Sequence, residues 1–199
     1  MDKKLNNING YILAGGKSSR MGKDKGLINY NNKAIIEYII EQLQPKVNQL
    51  VIVSNNMEYE KFGLKVINDL IKDIGPAGGI YTALNHTIEE LNFIVSCDMP
   101  YINKDGIQFI IQHSTHSQIT VPEKDGITEP LVGVYSKNCL NKWNELIQQR
   151  IIKLKEMILH FKLNIINVND NNLFNNNFFM NINTNIDLEN AIKLTINGN

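Results

Sequence analysis

The chain of 199 residues is poor in cysteine, with two, and in histidine, with four. Cys97 and Cys139 are too few for a disulfide framework or a four-thiolate zinc site, and they suit a reduced, cytoplasmic compartment. His86, His113, His116 and His160 show no metal-ligand spacing and read as structural or surface residues. Net charge is missing as well, since 20 Lys and Arg balance 20 Asp and Glu. A nucleic-acid binder held by a broad phosphate footprint carries a basic excess, so that class is set aside. A small anion remains possible, because it needs only a local cluster. No apolar run approaches the ~18 residues of a membrane span. Tyr11-Ile12-Leu13-Ala14 is too short to be a signal-peptide core. The expectation is a chain that engages neither nucleic acid nor membrane. Gly-x-Ser-x-Gly is absent, as are the P-loop spacing and the Rossmann Gly-x-Gly-x-x-Gly pattern.

What is present is a folded composition, 43% apolar and 20% charged, of a length that suits one domain over 1–199. Short β-rich runs alternate with amphipathic stretches. Strands are expected over 10–14, 50–54, 64–67, 92–96, 119–122, 131–135, 163–168 and 179–182. Helices are expected over 33–44, 80–86, 105–113, 138–161 in two pieces, and 187–194. The Asn-rich stretch 169–177 reads as an exposed loop. This alternation predicts an α/β three-layer sandwich around a mostly parallel central sheet. Such sheets bind ligands at the carboxyl ends of their strands. Segments 15–25, 69–79 and 97–100 each follow a strand and should therefore meet at one edge.

Three segments carry chemistry. In the first, Gly15-Gly16 follows a strand, and Lys17, Arg20, Lys23 and Lys25 outnumber Asp24 by three charges. Backbone donors beside clustered cations suit a triphosphate; the alternative is a basic surface loop. In the second, Cys97-Asp98-Met99-Pro100 puts a carboxylate at a strand end, where Asp98 could hold Mg²⁺ together with substrate phosphates, or could simply be a turn residue. Cys97 reads as a small buried neighbour rather than a nucleophile. In the third, Asp69 could accept hydrogen bonds from a base, and Gly75-Pro76-Ala77-Gly78-Gly79 could bring the chain close to a nucleoside; the alternative is an ordinary connection. Thr128-Glu129-Pro130-Leu131 either lines an acceptor pocket or forms a turn. Arg150, Lys153 and Lys155 meet an anionic substrate or form a solvated face.

Together these segments resemble the nucleotidyltransferase family that includes the molybdenum cofactor guanylyltransferases. The resemblance rests on Leu13-Ala14-Gly15-Gly16 through Arg20-Met21-Gly22 to Asp24-Lys25. It continues at Asp69, Gly75-Pro76-Ala77-Gly78-Gly79-Ile80 and Cys97-Asp98-Met99-Pro100, and ends at Asn181-Ile182-Asn183-Thr184 with Asp187-Leu188. The chain departs from the family at Ala77, where a bulky apolar residue is usual, at Asn185-Ile186 in place of Pro-Glu, and at Gln149 in place of Gly. The resemblance implies a Rossmann-like nucleotidyltransferase fold and transfer of GMP from GTP to the phosphate of molybdenum-molybdopterin, releasing pyrophosphate. It implies that Leu13, Ala14 and Gly15 contact GTP through the backbone and that Lys25 pairs with its phosphates. Arg20 becomes a further phosphate clamp, Asn55 and Asp69 face the guanine nucleotide, and Asp98 holds Mg²⁺. Arg20, Lys25 and Asp98 are thus the catalytic candidates. Transient contact with molybdoenzymes or their chaperones is a further expectation. The rivals are a cytidylyl- or sugar-phosphate nucleotidyltransferase and a non-catalytic GTP-binding module.

Overall fold

The computed structural model describes residues 7–15, 24–114 and 116–197. Strand β1 (Ile8–Leu13) shows how the layers arise. Side chains on a strand alternate between faces. Ile8, Ile12 and Ala14 enter one apolar cluster, and Tyr11 and Leu13 enter another on the opposite face. Both faces are apolar, so both must be covered by helices.

On one face lies α1 (Ile35–Leu43), whose Ile36, Ile39 and Leu43 are fully buried at helical spacing. Burying each of these side chains contributes roughly 1.5–3 kcal/mol. α3 (Lys104–Gln112) covers the same face through Ile107, Ile110 and Ile111. On the other face lie α2 (Pro76–His86), through Ile80, Ala83 and Leu84, α4 (Leu140–Gln148), through Trp143 and Leu146, and the short α5 (Leu154–Met157), through Met157. The Trp143 indole N–H donates to the carbonyl of Ala77 at 3.0 Å and locks α4 to α2.

The remaining sheet strands are β4 (Leu50–Val53), β5 (Lys65–Ile67), β6 (Leu91–Ser96), β7 (Ile119–Lys124), β8 (Ile127–Thr128), β9 (Val132–Ser136) and β10 (Leu163–Asn167). Their order is β10-β7-β9-β6-β1-β4-β5, with β8 beside β7. β1 runs parallel to both β4 and β6, and β4 runs parallel to β5. The mostly parallel α/β sandwich is therefore present, with one qualification. β9 runs antiparallel to both its neighbours, which makes the sheet mixed. The crossovers through α1 and α2 lie on opposite faces, and the strand order reverses between β1 and β6. This reversal is the crevice at which open α/β sheets take ligands.

Other expectations differ in detail. Residues 179–182 form no strand. The amide of Met180 closes a turn to Asn177 at 2.8 Å, and that of Ile182 donates to the Asp98 carbonyl at 2.9 Å, so these donors are already committed. The 169–177 stretch is exposed for the most part but is pinned by Phe174, which is buried against Phe178. The Gly75–Gly79 segment is not a turn before α2, because the helix begins at Pro76. Gly75 takes φ +64°, and the next residue is the proline that starts the helix. A Cβ at Gly79 would stand 3.2 Å from Leu13, so that glycine serves helix–sheet packing. The hairpin β2 (Asn29–Tyr30) and β3 (Lys33–Ala34) was not foreseen. It forms a third small core, in which Ile28, Tyr30 and Ile35 pack with Ile182 and Ala191. That core draws α6 (Asn185–Asn197) back to the first half of the chain. No described helix is long and apolar enough to cross a membrane.

Candidate active site

Register fixes the site. Leu13 lies opposite Val53 on one side and Ser96 on the other, and Val53 lies opposite Ile67. Residues 14–15, 54–55, 68–69 and 97–98 therefore leave the sheet side by side. Backbone bonds continue the ladder past the strand ends. Ala14 N–H reaches Val53 O at 2.9 Å, Ser54 N–H reaches Ile67 O at 2.9 Å, and Cys97 N–H reaches Leu13 O at 3.0 Å. Gly15 and Asp98 thus sit at neighbouring strand ends, as expected. The ladder also divides the three backbone candidates. The Ala14 donor and the Leu13 carbonyl are committed to the sheet, whereas Gly15 is exposed at its rim.

On the β6 side, Asp98 is 8% exposed. Its Oδ1 accepts from the Ser96 hydroxyl at 2.7 Å, and its Oδ2 faces the Lys25 ammonium at 3.3 Å. Lys25 also donates to the Asn183 side-chain carbonyl. Asn183 is held in turn by a reciprocal cap at the start of α6. The amides of Asn183 and Thr184 reach Asp187 Oδ2 at 2.9 and 2.8 Å, and the Asp187 amide reaches Thr184 Oγ1 at 3.1 Å. These amides hold the Asp187 carboxyl below its ordinary range. The late Asn-Ile-Asn-Thr segment therefore lies against the Lys25–Asp98 pair. Asn183 belongs to the segment that carries the family resemblance, and the structure adds it to the site.

On the β4–β5 side, the Asn55 Nδ2 lies 3.5 Å from Asp69 Oδ2, and the Asp69 amide donates to Asn55 Oδ1 at 3.2 Å. Asp69 Oδ1 is buried without a hydrogen-bond partner among the described residues. Burial pushes this carboxyl above its ordinary range. A buried acceptor without a donor is costly unless a ligand supplies one. A Cβ at Gly15 would stand 3.7 Å from Asp69 Oδ2, which places this carboxylate beside the first loop.

Asn56, Tyr59 and Ser96 are not singled out by the sequence, and Asp24 is singled out only as part of the first segment, without a role. Asp24 accepts from the Tyr59 hydroxyl, and from Asn56 Nδ2 at 3.5 Å. Tyr59 carries a clear signal, as an aromatic residue between Glu58 and Glu60. Cys97 is buried, and burial pushes its thiol up, away from the thiolate a nucleophile needs. Arg20, with Lys17 and Lys23, lies outside the described residues. Leu131 O accepts from Ser96 N at 3.1 Å, so the 128–131 segment adjoins the same edge. Burial raises the Glu129 carboxyl there, while Lys155 opposes the shift. Arg150 and Lys155 are exposed, and Lys153 pairs with Glu156 at 3.2 Å.

The donor set can be tested against a divalent cation. Among the described residues no three His, Cys, Asp or Glu side chains gather as a metal cage. One hard carboxylate beside a lysine suits Mg²⁺ when substrate phosphates and water complete its shell. The residues fit a metal that enters with the nucleotide, and Asp98 is the side chain that would hold it.

Comparison with known proteins agrees with this geometry. Residues 10–160 match the MobA-like NTP transferase domain. A "probable molybdenum cofactor guanylyltransferase" from Flavobacterium johnsoniae is 38% identical over 165 residues, covering 82% of this chain and 87% of that one. A molybdenum cofactor guanylyltransferase from Vibrio parahaemolyticus is 35% identical over 178 residues, covering 87% and 89%. Among solved structures, molybdopterin-guanine dinucleotide biosynthesis protein A from Archaeoglobus fulgidus superposes with a TM-score of 0.81 at 25% identity, covering 95% of this chain and 99% of that one. With a nucleotidyltransferase edge built from β1, β4, β5 and β6 and relatives of this kind along most of its length, the chain belongs to the molybdenum cofactor guanylyltransferase family of MobA-like NTP transferases.

Proposed function

We propose that this enzyme transfers GMP from GTP to the terminal phosphate of molybdenum-molybdopterin, forming the guanine dinucleotide and releasing pyrophosphate. One observation carries the reading. A lysine–carboxylate pair and a buried carboxylate with an unmet acceptor flank Gly15 at adjacent strand ends. The first suits phosphates, and the second suits the N–H edge of a guanine base held by Asp69 and Asn55.

An oxygen of the acceptor phosphate attacks the α-phosphorus of GTP. The bond from that phosphorus to the bridging oxygen breaks, and its electron pair leaves with pyrophosphate. The acceptor oxygen is already anionic, so no covalent enzyme intermediate is needed. Lys25 holds and neutralises the phosphates as charge moves onto the leaving group. Arg20 is assigned as a second clamp. When bound at Asp98, Mg²⁺ supplies charge neutralisation at the reacting phosphates. Ser96 and Lys25 orient Asp98 for that role. The site aligns two polyanions that repel in solution, and alignment provides much of the acceleration.

The enzyme is assigned to a reduced, cytoplasmic compartment, which both buried free thiols suit. There its product would pass to molybdoenzymes or their chaperones by transient contact. The test is pyrophosphate release from each nucleoside triphosphate with the pterin acceptor and Mg²⁺. GTP is expected to be preferred. Preference for CTP would overturn the guanylyl assignment, and GTP binding without pyrophosphate release would favour a non-catalytic module.

A further inference from the structure

Lys25 stands on a single three-residue turn, Lys25–Leu27, closed by Leu27 N–H to Asp24 O at 3.0 Å and Ile28 N–H to Lys25 O at 3.2 Å. The hydrogen bonds of so short a turn have poor geometry, so by itself it fixes the backbone beneath Lys25 only weakly. The residues around it supply what the turn lacks. Tyr59 is fully buried in the connection between β4 and β5, and its hydroxyl donates to Asp24. The same hydroxyl crosses Gly26, where a Cβ would lie 2.5 Å from it, so nothing larger than glycine fits beneath. Asn56 reaches the other Asp24 oxygen at 3.5 Å. The residues on both sides of Lys25 are thus gripped by one tyrosine. Burial, with Cys97 and Asp24 nearby, keeps the Tyr59 hydroxyl protonated, so it remains a donor throughout the working range.

The grip also joins the two halves of the site. Asn55 bonds Asp69 on the base side, and its chain neighbour Asn56 bonds Asp24 on the phosphate side. We propose that Tyr59 and Asp24 form a clasp that positions the Lys25 ammonium against the triphosphate and ties its placement to the base-holding Asn55–Asp69 pair. Tyr59 touches no substrate; it acts through Lys25 and is a positioning residue. This inference rests on the nucleotidyltransferase reading.

The test is a double-mutant cycle on the full-length protein. Tyr59→Phe keeps the buried ring and removes only the hydroxyl. It is expected to lower kcat/KM for GTP by about tenfold, since small misplacements of a reacting group are expensive. In a Lys25→Ala background the same change is expected to cost less than twofold. Equal losses in both backgrounds, or no loss in the first, would overturn the clasp. A second pair covers the case in which Tyr59→Phe does not fold. Asp24→Asn keeps an acceptor for the tyrosine and should retain more turnover than Asp24→Ala; equal losses would again overturn it. The cycle is also read as Mg²⁺–GTP affinity by calorimetry. A wild-type protein that binds GTP but releases no pyrophosphate would defeat the proposed reaction, while the affinity cycle would still decide the clasp.

Discussion

Replacing Asp98 by Asn separates what this carboxylate does for stability from what it does for chemistry. The side chain is small, nearly buried and held by two donors, Ser96 Oγ at 2.7 Å and Lys25 Nζ at 3.3 Å. The amide keeps the shape and still accepts from Ser96. What it loses is the ion pair, in which Lys25 is 27% and Asp98 12% exposed by side chain. A partly solvated pair of this kind contributes only about 1 kcal/mol. For a chain of this length the thermal midpoint should then fall by only about 2–4 °C. Turnover should respond much more strongly. The substitution removes the proposed Mg²⁺ ligand and leaves the triphosphate facing an uncharged amide. Groups that stabilise charge in a transition state are worth on the order of 100-fold or more. That corresponds to about 2.7 kcal/mol, well above the stability loss. The assay is pyrophosphate release with GTP and the pterin acceptor over a Mg²⁺ titration, beside a melting curve. The variant should need more Mg²⁺ and stay slow at saturation. Turnover within threefold of wild type, in protein that melts normally, would refute the role.

Other perturbations have equally definite outcomes. Asp69→Asn relieves a desolvated charge with one unpartnered oxygen, so its thermal midpoint at neutral pH should rise by about 2–4 °C while GTP affinity falls about tenfold or more; a fall in both would contradict the base-reading role. The folded Asp69 carboxyl titrates above its ordinary 3.8, so its favourable share of stability is present below that value and fades as pH rises through the folded one. GTP affinity should run the other way, failing on the acid side before an unshifted carboxylate would, and an affinity profile by calorimetry checks this. Gly26→Ala places a methyl group against the Tyr59 hydroxyl and should destabilise by roughly 1–3 kcal/mol in chemical denaturation. Asp187→Ala removes half of the α6 cap and should cost about 1 kcal/mol. Its carboxyl is held below 3.8, so that contribution is present above this pH and lost as pH falls through the folded value, a loss visible in acid unfolding curves.

What could be read from the chain was whatever depended on local pattern. β1 and β6 are apolar runs with abrupt polar ends, and parallel topology alone brings such ends together, so the meeting of Gly15, Asp69 and Asp98 is legible in the sequence. Contacts made by long-range closure were not legible. Nothing near Tyr59 announces Asp24, 35 residues away, and nothing near Lys25 announces Asn183, 158 residues away. The 179–182 stretch has the composition of a strand, but its backbone donors go to a turn and to the Asp98 carbonyl. The glycines of 75–79 leave two readings open in the sequence, room for a nucleoside or an ordinary connection, and at Gly79 the room is taken by Leu13.

The charge balance of the site sets the order in which ligands assemble. Asp24, Asp69 and Asp98 lie with Lys25 at the edge assigned to a triphosphate. A carboxylate facing the phosphates there would repel them. Each carboxylate, however, has a different assigned partner. Asp24 is turned onto the Tyr59 hydroxyl and Asn56, and so faces protein rather than phosphate. Asp69 is assigned to the donor edge of the base, where negative charge attracts. On that proposal Asp98 lies beside the phosphates, where a carboxylate is tolerable only if a cation lies between them. The nucleotide is therefore expected to bind as its Mg²⁺ complex, with metal and GTP strengthening each other's affinity by the same factor. Calorimetric titrations of GTP with and without Mg²⁺ measure that factor directly. In Asp98→Asn it should collapse toward one, with metal-free GTP binding at least as tightly as to the wild type, because the repelling charge has gone. Metal-free GTP binding to the wild type as tightly as its Mg²⁺ complex would mean that Asp98 does not face the phosphates.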